Sequence, residues 1–194
     1  MPIPKFNTAI KCLQQGLTLV ELIVTLAIVG ILFTMGPPAV SSMMHRYQAA
    51  SEIQAIQMAI QLTRSKAILS GKTTFCPLVK NVCKREWNRE LTVFLDVNGN
   101  KQLDDGDTVV TAVQAVDESS TLRTYPKRAF QFNSRGFAGF NNGSFSYCRI
   151  QNEGKSIGAA FIVSRVGRIR RGVDSNQDGL PETANGRNVV CPTR

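Results

Sequence analysis

The stretch Gly16-Leu17-Thr18-Leu19-Val20-Glu21, followed by an apolar run from Leu22 to Val40, constrains this 194-residue chain more than any other feature. No charge follows Glu21 until Arg46. A helix of about 20 apolar residues is roughly 30 Å long, the thickness of a bilayer core. An ionised carboxylate near the end of such a run costs on the order of a few kcal/mol in lipid unless a counter-charge meets it. Glu21 therefore needs a partner that its own segment does not offer. A secretory signal peptide has a shorter apolar core and a small-residue cleavage site after it. Here the run is longer, and Gly16 stands before it. A plain single-pass anchor accounts for the hydrophobicity but not for Gly16 and Glu21 at that spacing.

These residues resemble the amino-terminal signature of type IV pilins and type II secretion pseudopilins. The resemblance implies that a prepilin peptidase cuts after Gly16 and that Leu17 becomes the new, N-methylated terminus. It further implies that Glu21 pairs with the free amine of a neighbouring subunit as the filament assembles, and that Gly30, Gly36 and Pro38 loosen the helix. On that reading residues 1–16 are a leader, 17–40 the transmembrane half of a helix, 41–71 its amphipathic half, and 72–194 a periplasmic β-rich domain. The protein would sit in the inner membrane as a single-pass protein, and in a pilus or pseudopilus after assembly.

The periodicity beyond the anchor fits this division. Pro37-Pro38 should bend the helix. From Ser41 to about Leu69, Ala49, Ile53, Ile56, Ile60 and Ala67 recur at three- and four-residue spacing and form one apolar stripe. Glu52, Gln57, Gln61 and Arg64 fall on the other side, and Gly71 terminates the helix. A helix of some 50 residues is about 80 Å long. From Thr73 the pattern turns to short β-type runs: Thr73–Cys76, Leu91–Leu95, Thr108–Val116, Ala129–Phe132, Ser144–Ile150, Ile157–Ser164 and Asn188–Cys191. Asn98-Gly99 and Asn142-Gly143 read as tight hairpin turns. The expected fold is α+β, a long amino-terminal helix packed on an antiparallel sheet or sandwich.

Cys12 belongs to the leader, which leaves Cys76, Cys83, Cys148 and Cys191, an even number outside the cytoplasm. Four cysteines allow three pairings. Cys76–Cys83, closing a short loop, and Cys148–Cys191, tying the tail to the sheet, are the favoured pair. Zinc is the rival, without a C-x-x-C pair and with His45 the only histidine.

Cys76-Pro77, Cys83, Trp87 and Leu91 to Asp96, with Phe137-Ala138-Gly139-Phe140 ahead of Tyr147-Cys148, resemble the FimT/GspH family of minor pilins and pseudopilins. No catalytic constellation is visible, so an enzyme is not expected. The chain carries 23 basic and 14 acidic residues; losing Lys5 and Lys11 with the leader leaves 21 against 14, or +7. A basic balance favours acidic partners. Four arginines fall within Arg165-Val166-Gly167-Arg168-Ile169-Arg170-Arg171. In a strand, Arg168 and Arg170 share a face, and a bulge at Gly167 brings Arg165 onto it. Guanidinium groups at that spacing suit backbone phosphates. The run resembles the GRxR motif of FimT-type minor pilins that bind double-stranded DNA in natural transformation. The rival for these residues is an edge strand protected by charge.

Asp96, Asn98, Asn100, Asp104 and Asp107 alternate like calcium donors, and so do Asp174, Asn176 and Asp178, with Glu182 beyond. Neither loop carries the twelfth-position glutamate of an EF-hand, and turn capping by Asp and Asn competes with calcium in both. Asp174–Glu182 is the better candidate of the two. The sequence thus points to a filament subunit, a minor pilin of a type IV pilus, with DNA as a candidate ligand and other pilins as partners. The alternative is pseudopilin H of a type II secretion system.

Overall fold

A computed structural model describes residues 16, 18–151 and 155–192, without the side chains of 33–42. Residues 1–15 of the leader, Leu17 and the side chains around Gly36-Pro37-Pro38 lie outside the described residues. The chain divides into two compact units, one up to Ser41 and one comprising Ser42–Arg194.

The helix α1 runs Leu19–Ser70. Thr18 caps it, its Oγ1 accepting the Glu21 amide at 3.3 Å. Gly71 ends it in the left-handed region, φ +107, donating to the Ala67 carbonyl. In the first unit Leu19–Leu32 expose their apolar side chains, Leu19 to 75%. Among the described residues no helix is long and apolar enough to cross a membrane; the described side chains of the apolar run end at Leu32.

In the second unit the expected stripe is buried. Ala49, Ile53, Ile56, Ala59, Ile60, Thr63 and Ala67 all face the core, which they share with two antiparallel sheets. Five strands form the first: β1 (Thr73–Val79), β2 (Val82–Cys83), β3 (Leu91–Leu95), β4 (Thr108–Val113) and β6 (Phe130–Phe132). Its order is β2-β1-β3-β4, with β6 also on β1. The second contains β5 (Thr121–Thr124), β7 (Gly143–Ile150), β8 (Ser156–Val163) and β9 (Ile169–Arg171), in the order β5-β7-β8-β9. Lys80 and Asn81, both at positive φ, make the two-residue turn between β1 and β2. Between the sheets the Trp87 indole meets Tyr125, Phe145 and Phe130 edge-on at 5.3–5.8 Å and donates to the Lys127 carbonyl.

Several local expectations need correction. Glu52 and Arg64 are not on a solvent face. Glu52 accepts from the Tyr147 hydroxyl at 2.7 Å and pairs with Arg149 at 2.8 Å. Arg64 donates to the Gly136 carbonyl at 3.2 Å. Asn98-Gly99 lies within the twelve-residue β3–β4 connection, and Gly143 opens β7, so neither dipeptide makes a tight hairpin. Strand β5 is not among the runs expected from the sequence, and it carries Arg123. Arg123 is buried, and its guanidinium donates to the carbonyls of Asn88, Arg89 and Gln114. That burial lowers its pKa to about 10. Asn188–Cys191 is no strand; Asn188 makes one bridge, to Glu182. Val189 and Leu180 instead cover the outer face of the second sheet with Ala160 and Cys148. Gly158 admits them, since a Cβ there would lie 2.7 Å from Val189.

Cys76–Cys83 and Cys148–Cys191 are disulfide-bonded, at sequence separations of 7 and 43. In the chain-entropy account, the longer loop should contribute about 1.5 kcal/mol more. Urea unfolding of the two double-Cys→Ala variants checks this: the Cys148/Cys191 variant should be the weaker. Equal losses would contradict it.

Candidate functional site

Three places on the second unit and one on the first hold the residues singled out by the sequence. At the start of α1, Gly16 is exposed, and Glu21 is exposed with no ion pair among the described residues. Its carboxylate sits in the first helical turn, where the helix dipole favours negative charge.

The arginine run forms the turn between β8 and β9. The Gly167 amide donates to the Ser164 carbonyl, the Ser164 amide to the Arg168 carbonyl, and the Arg168 amide to Ser164 Oγ. Gly167 adopts φ +80, so it serves the turn and not a bulge within a strand. Arg165 and Val166 occupy that turn. Arg168 and Arg170 are exposed, while Ile169 between them packs on the core. Arg171 lies over the Phe161 ring at 5.7 Å, and Arg165 over the Phe140 ring at 5.9 Å. Among the described residues none of the four arginines pairs with a carboxylate. Glu182 lines the same surface hollow as Arg170 but takes its hydrogen bonds from the Ser175 amide.

The turn is held from below by contacts that the sequence pattern does not show. A Cβ on Gly167 would come within 1.8 Å of the Gly136 carbonyl, which accepts from Arg64 of α1. The Gly139 amide donates to the Arg165 carbonyl. Phe140, beside Arg165, is 85% exposed. Phe137-Ala138-Gly139-Phe140 was visible as a pattern; the contact of this segment with a turn some 30 residues on was not.

The two acidic loops differ. In Asp174–Glu182 the carboxylates serve the loop itself. Asp174 accepts the Asp178 and Gly179 amides, Asp178 the Leu180 amide and the Asn176 side chain, and Glu182 the Ser175 amide. Asn176 in turn accepts the Asp178 amide. The capping bonds hold Asp178 below the usual carboxylate range. Among the described residues no cluster of three or more His, Cys, Asp or Glu is gathered for a metal.

A helix with an exposed apolar first segment, its second segment clamped to a disulfide-braced β domain, is consistent with a pilin-type α+β fold. The comparisons name the branch. The family model of the type II transport protein GspH matches residues 52–167, more than half of the chain, and that of the prokaryotic N-terminal methylation motif matches residues 11–36. The chain belongs to the GspH family and is a minor pilin or pseudopilin, a structural component of a filament assembled with other pilins. Searches among curated proteins and solved structures returned no match.

Gly167→Ala should destabilise the second unit by about 2 kcal/mol or more, since strain at positive φ adds to a backbone clash. Gly179→Ala, at φ +90 in open space, should cost about 1 kcal/mol. Urea midpoints compare them, and equal losses would show that Gly136 does not brace the turn.

Proposed function

We propose that this chain is a minor pilin of a type IV pilus whose β8–β9 turn holds the phosphate backbone of double-stranded DNA. In this reading a prepilin peptidase removes residues 1–16, and 17–40 span the inner membrane. The helix continues through 41–71, and 72–194 form the periplasmic domain. Glu21 then meets the amine of Leu17 on a neighbouring subunit, which supplies the counter-charge its apolar surroundings require.

The observation that carries the DNA reading is the state of the arginines. Arg165, Arg168 and Arg170 are exposed on a turn pinned to α1 through Gly136, with no carboxylate partner among the described residues. Charges left unpaired on a braced edge are free to meet phosphates, and such contacts carry no base information. A second reading, pseudopilin H of a type II secretion system contacting exported protein, is favoured by the description of the matching family.

Titration separates the two. The domain lacking residues 1–45 should bind duplex DNA without sequence preference. The log–log salt slope should be near −3, about −0.9 for each of three phosphates. Arg168→Gln with Arg170→Gln should reduce that slope by about 2, and Lys80→Gln with Lys84→Gln should matter less. No binding at low salt, or an undiminished slope in the double Arg variant, would leave the secretion reading.

A further inference from the structure

The connection between β3 and β4 has the donor spacing of a twelve-residue calcium loop. Counted from Asp96, Asn98 is third, Asn100 fifth, Gln102 seventh, Asp104 ninth and Asp107 twelfth. An EF-hand loop supplies oxygen from these same positions, the seventh through its backbone carbonyl, and its sixth residue must turn sharply. The twelfth position, although not glutamate, is therefore still a carboxylate. The sixth residue, Lys101, adopts φ +64, a conformation a non-glycine residue seldom takes.

The loop closes on its first residue. Asp96 Oδ2 accepts the Lys101 amide at 3.1 Å, along with the Thr74 hydroxyl at 2.7 Å and the Gln131 amide group at 2.9 Å. Asn98 and Asn100 both direct their NH2 groups to Asp104 Oδ2, at 3.1 and 2.7 Å, so the third, fifth and ninth side chains already meet. These bonds hold Asp104 below the usual carboxylate range. The Gln102 amide donates to Asn100 Oδ1, and Asp107 accepts the amides of Val97 and Asp104. Beyond the loop, Gln102 bridges to Val82 and the Leu103 amide donates to Asn81, which ties the loop to the β1–β2 turn.

An independent observation points to a ligand. Asp96 is fully buried, and its Oδ1 has no hydrogen-bond partner. All three donors to this carboxylate crowd the other oxygen. A buried, unpartnered carboxylate oxygen is costly, and a cation relieves it. The Lys101 ammonium is close enough to interact electrostatically with Asp96 but gives it no hydrogen bond, since its own goes to Asn141 Oδ1 at 2.7 Å. The Asp174–Glu182 loop has no such orphan oxygen among its described atoms, which reverses the ranking drawn from sequence.

We propose that the β3–β4 loop binds one calcium ion. Asp96 Oδ1, Asn98, Asn100, the Gln102 carbonyl, Asp104 and Asp107 are the donors. As the loop stands its three carboxylates are not gathered for a metal; Asp104 and Asp107 close onto the ion, exchanging bonds within the loop for metal bonds. Six protein oxygens suit calcium, whereas magnesium keeps most of its water and uses one or two carboxylates. The short side chain of Asp107 limits bidentate contact, so the affinity belongs with extracellular modules, Kd about 10⁻⁴–10⁻³ M.

The test uses the full chain in detergent micelles, stripped with chelator, then titrated calorimetrically with Ca²⁺ or Mg²⁺ and melted with and without 5 mM of each ion. One equivalent of Ca²⁺ should bind and raise Tm by a few degrees, with a much smaller effect of Mg²⁺. Asp96→Asn removes a buried charge and is open to folding defects, so the deciding variant is the exposed Asp104→Ala. It should fold, melt near the ion-free wild type and lose Ca²⁺ affinity at least about tenfold. Asp178→Ala, in the other acidic loop, should keep the full calcium response. Absence of Ca²⁺ binding by the wild type up to 10 mM, undiminished binding by Asp104→Ala, equal response to Mg²⁺, or loss of the response in Asp178→Ala would each overturn the proposal.

Discussion

The second unit depends on one buried helical stripe. Ala49, Ile53, Ile56, Ala59, Ile60, Thr63 and Ala67 give both sheets a common surface, and the core cluster draws on all three. Each buried isoleucine contributes about 2–3 kcal/mol, and the alanines let the backbone approach closely. Glu52 and Arg64 fix the helix at two further points, one through Tyr147 and Arg149 of β7, the other through Gly136. The second contact also braces the arginine turn, so packing of the helix and presentation of its charged edge share one residue.

The same helix is used differently in the first unit. Its apolar side chains from Leu19 to Leu32 are exposed, and Glu21 stands among them without an ion pair in the described residues. A surface of this kind needs an apolar environment, and its carboxylate needs a counter-charge. Membership of the GspH family and the N-terminal methylation motif make the chain a subunit that assembles with other pilins, and we propose that this assembly meets both needs.

What the sequence made legible was local. The helical stripe, the Gly71 terminator and the strands β1, β3, β7 and β8 follow from short-range periodicity, because burial of a helix face or a strand face repeats within a few residues. What escaped it was set by contacts far along the chain. Arg123 reads as polar until the carbonyls of Asn88, Arg89 and Gln114 surround it. Val189 and Val190 look like a strand, but the tail crosses the second sheet as irregular cover. The arginine run was legible as chemistry, yet the reason Gly167 must be glycine lies in the Gly136 carbonyl. Likewise the donors of the β3–β4 loop could be counted, whereas the bare oxygen of Asp96 shows only in three dimensions.

The central claim, that one helix serves its own domain with one half and neighbouring subunits with the other, turns on Glu21. Wild type and Glu21→Val, each carrying a distinguishable tag, can be co-expressed and counted in membranes and in sheared filaments by mass spectrometry. The variant should be processed and inserted as well as wild type, since removing a charge eases insertion. Its share of the filament fraction should fall about tenfold or more, corresponding to roughly 1.4 kcal/mol or more of lost pairing. Equal shares in membranes and filaments would contradict the account.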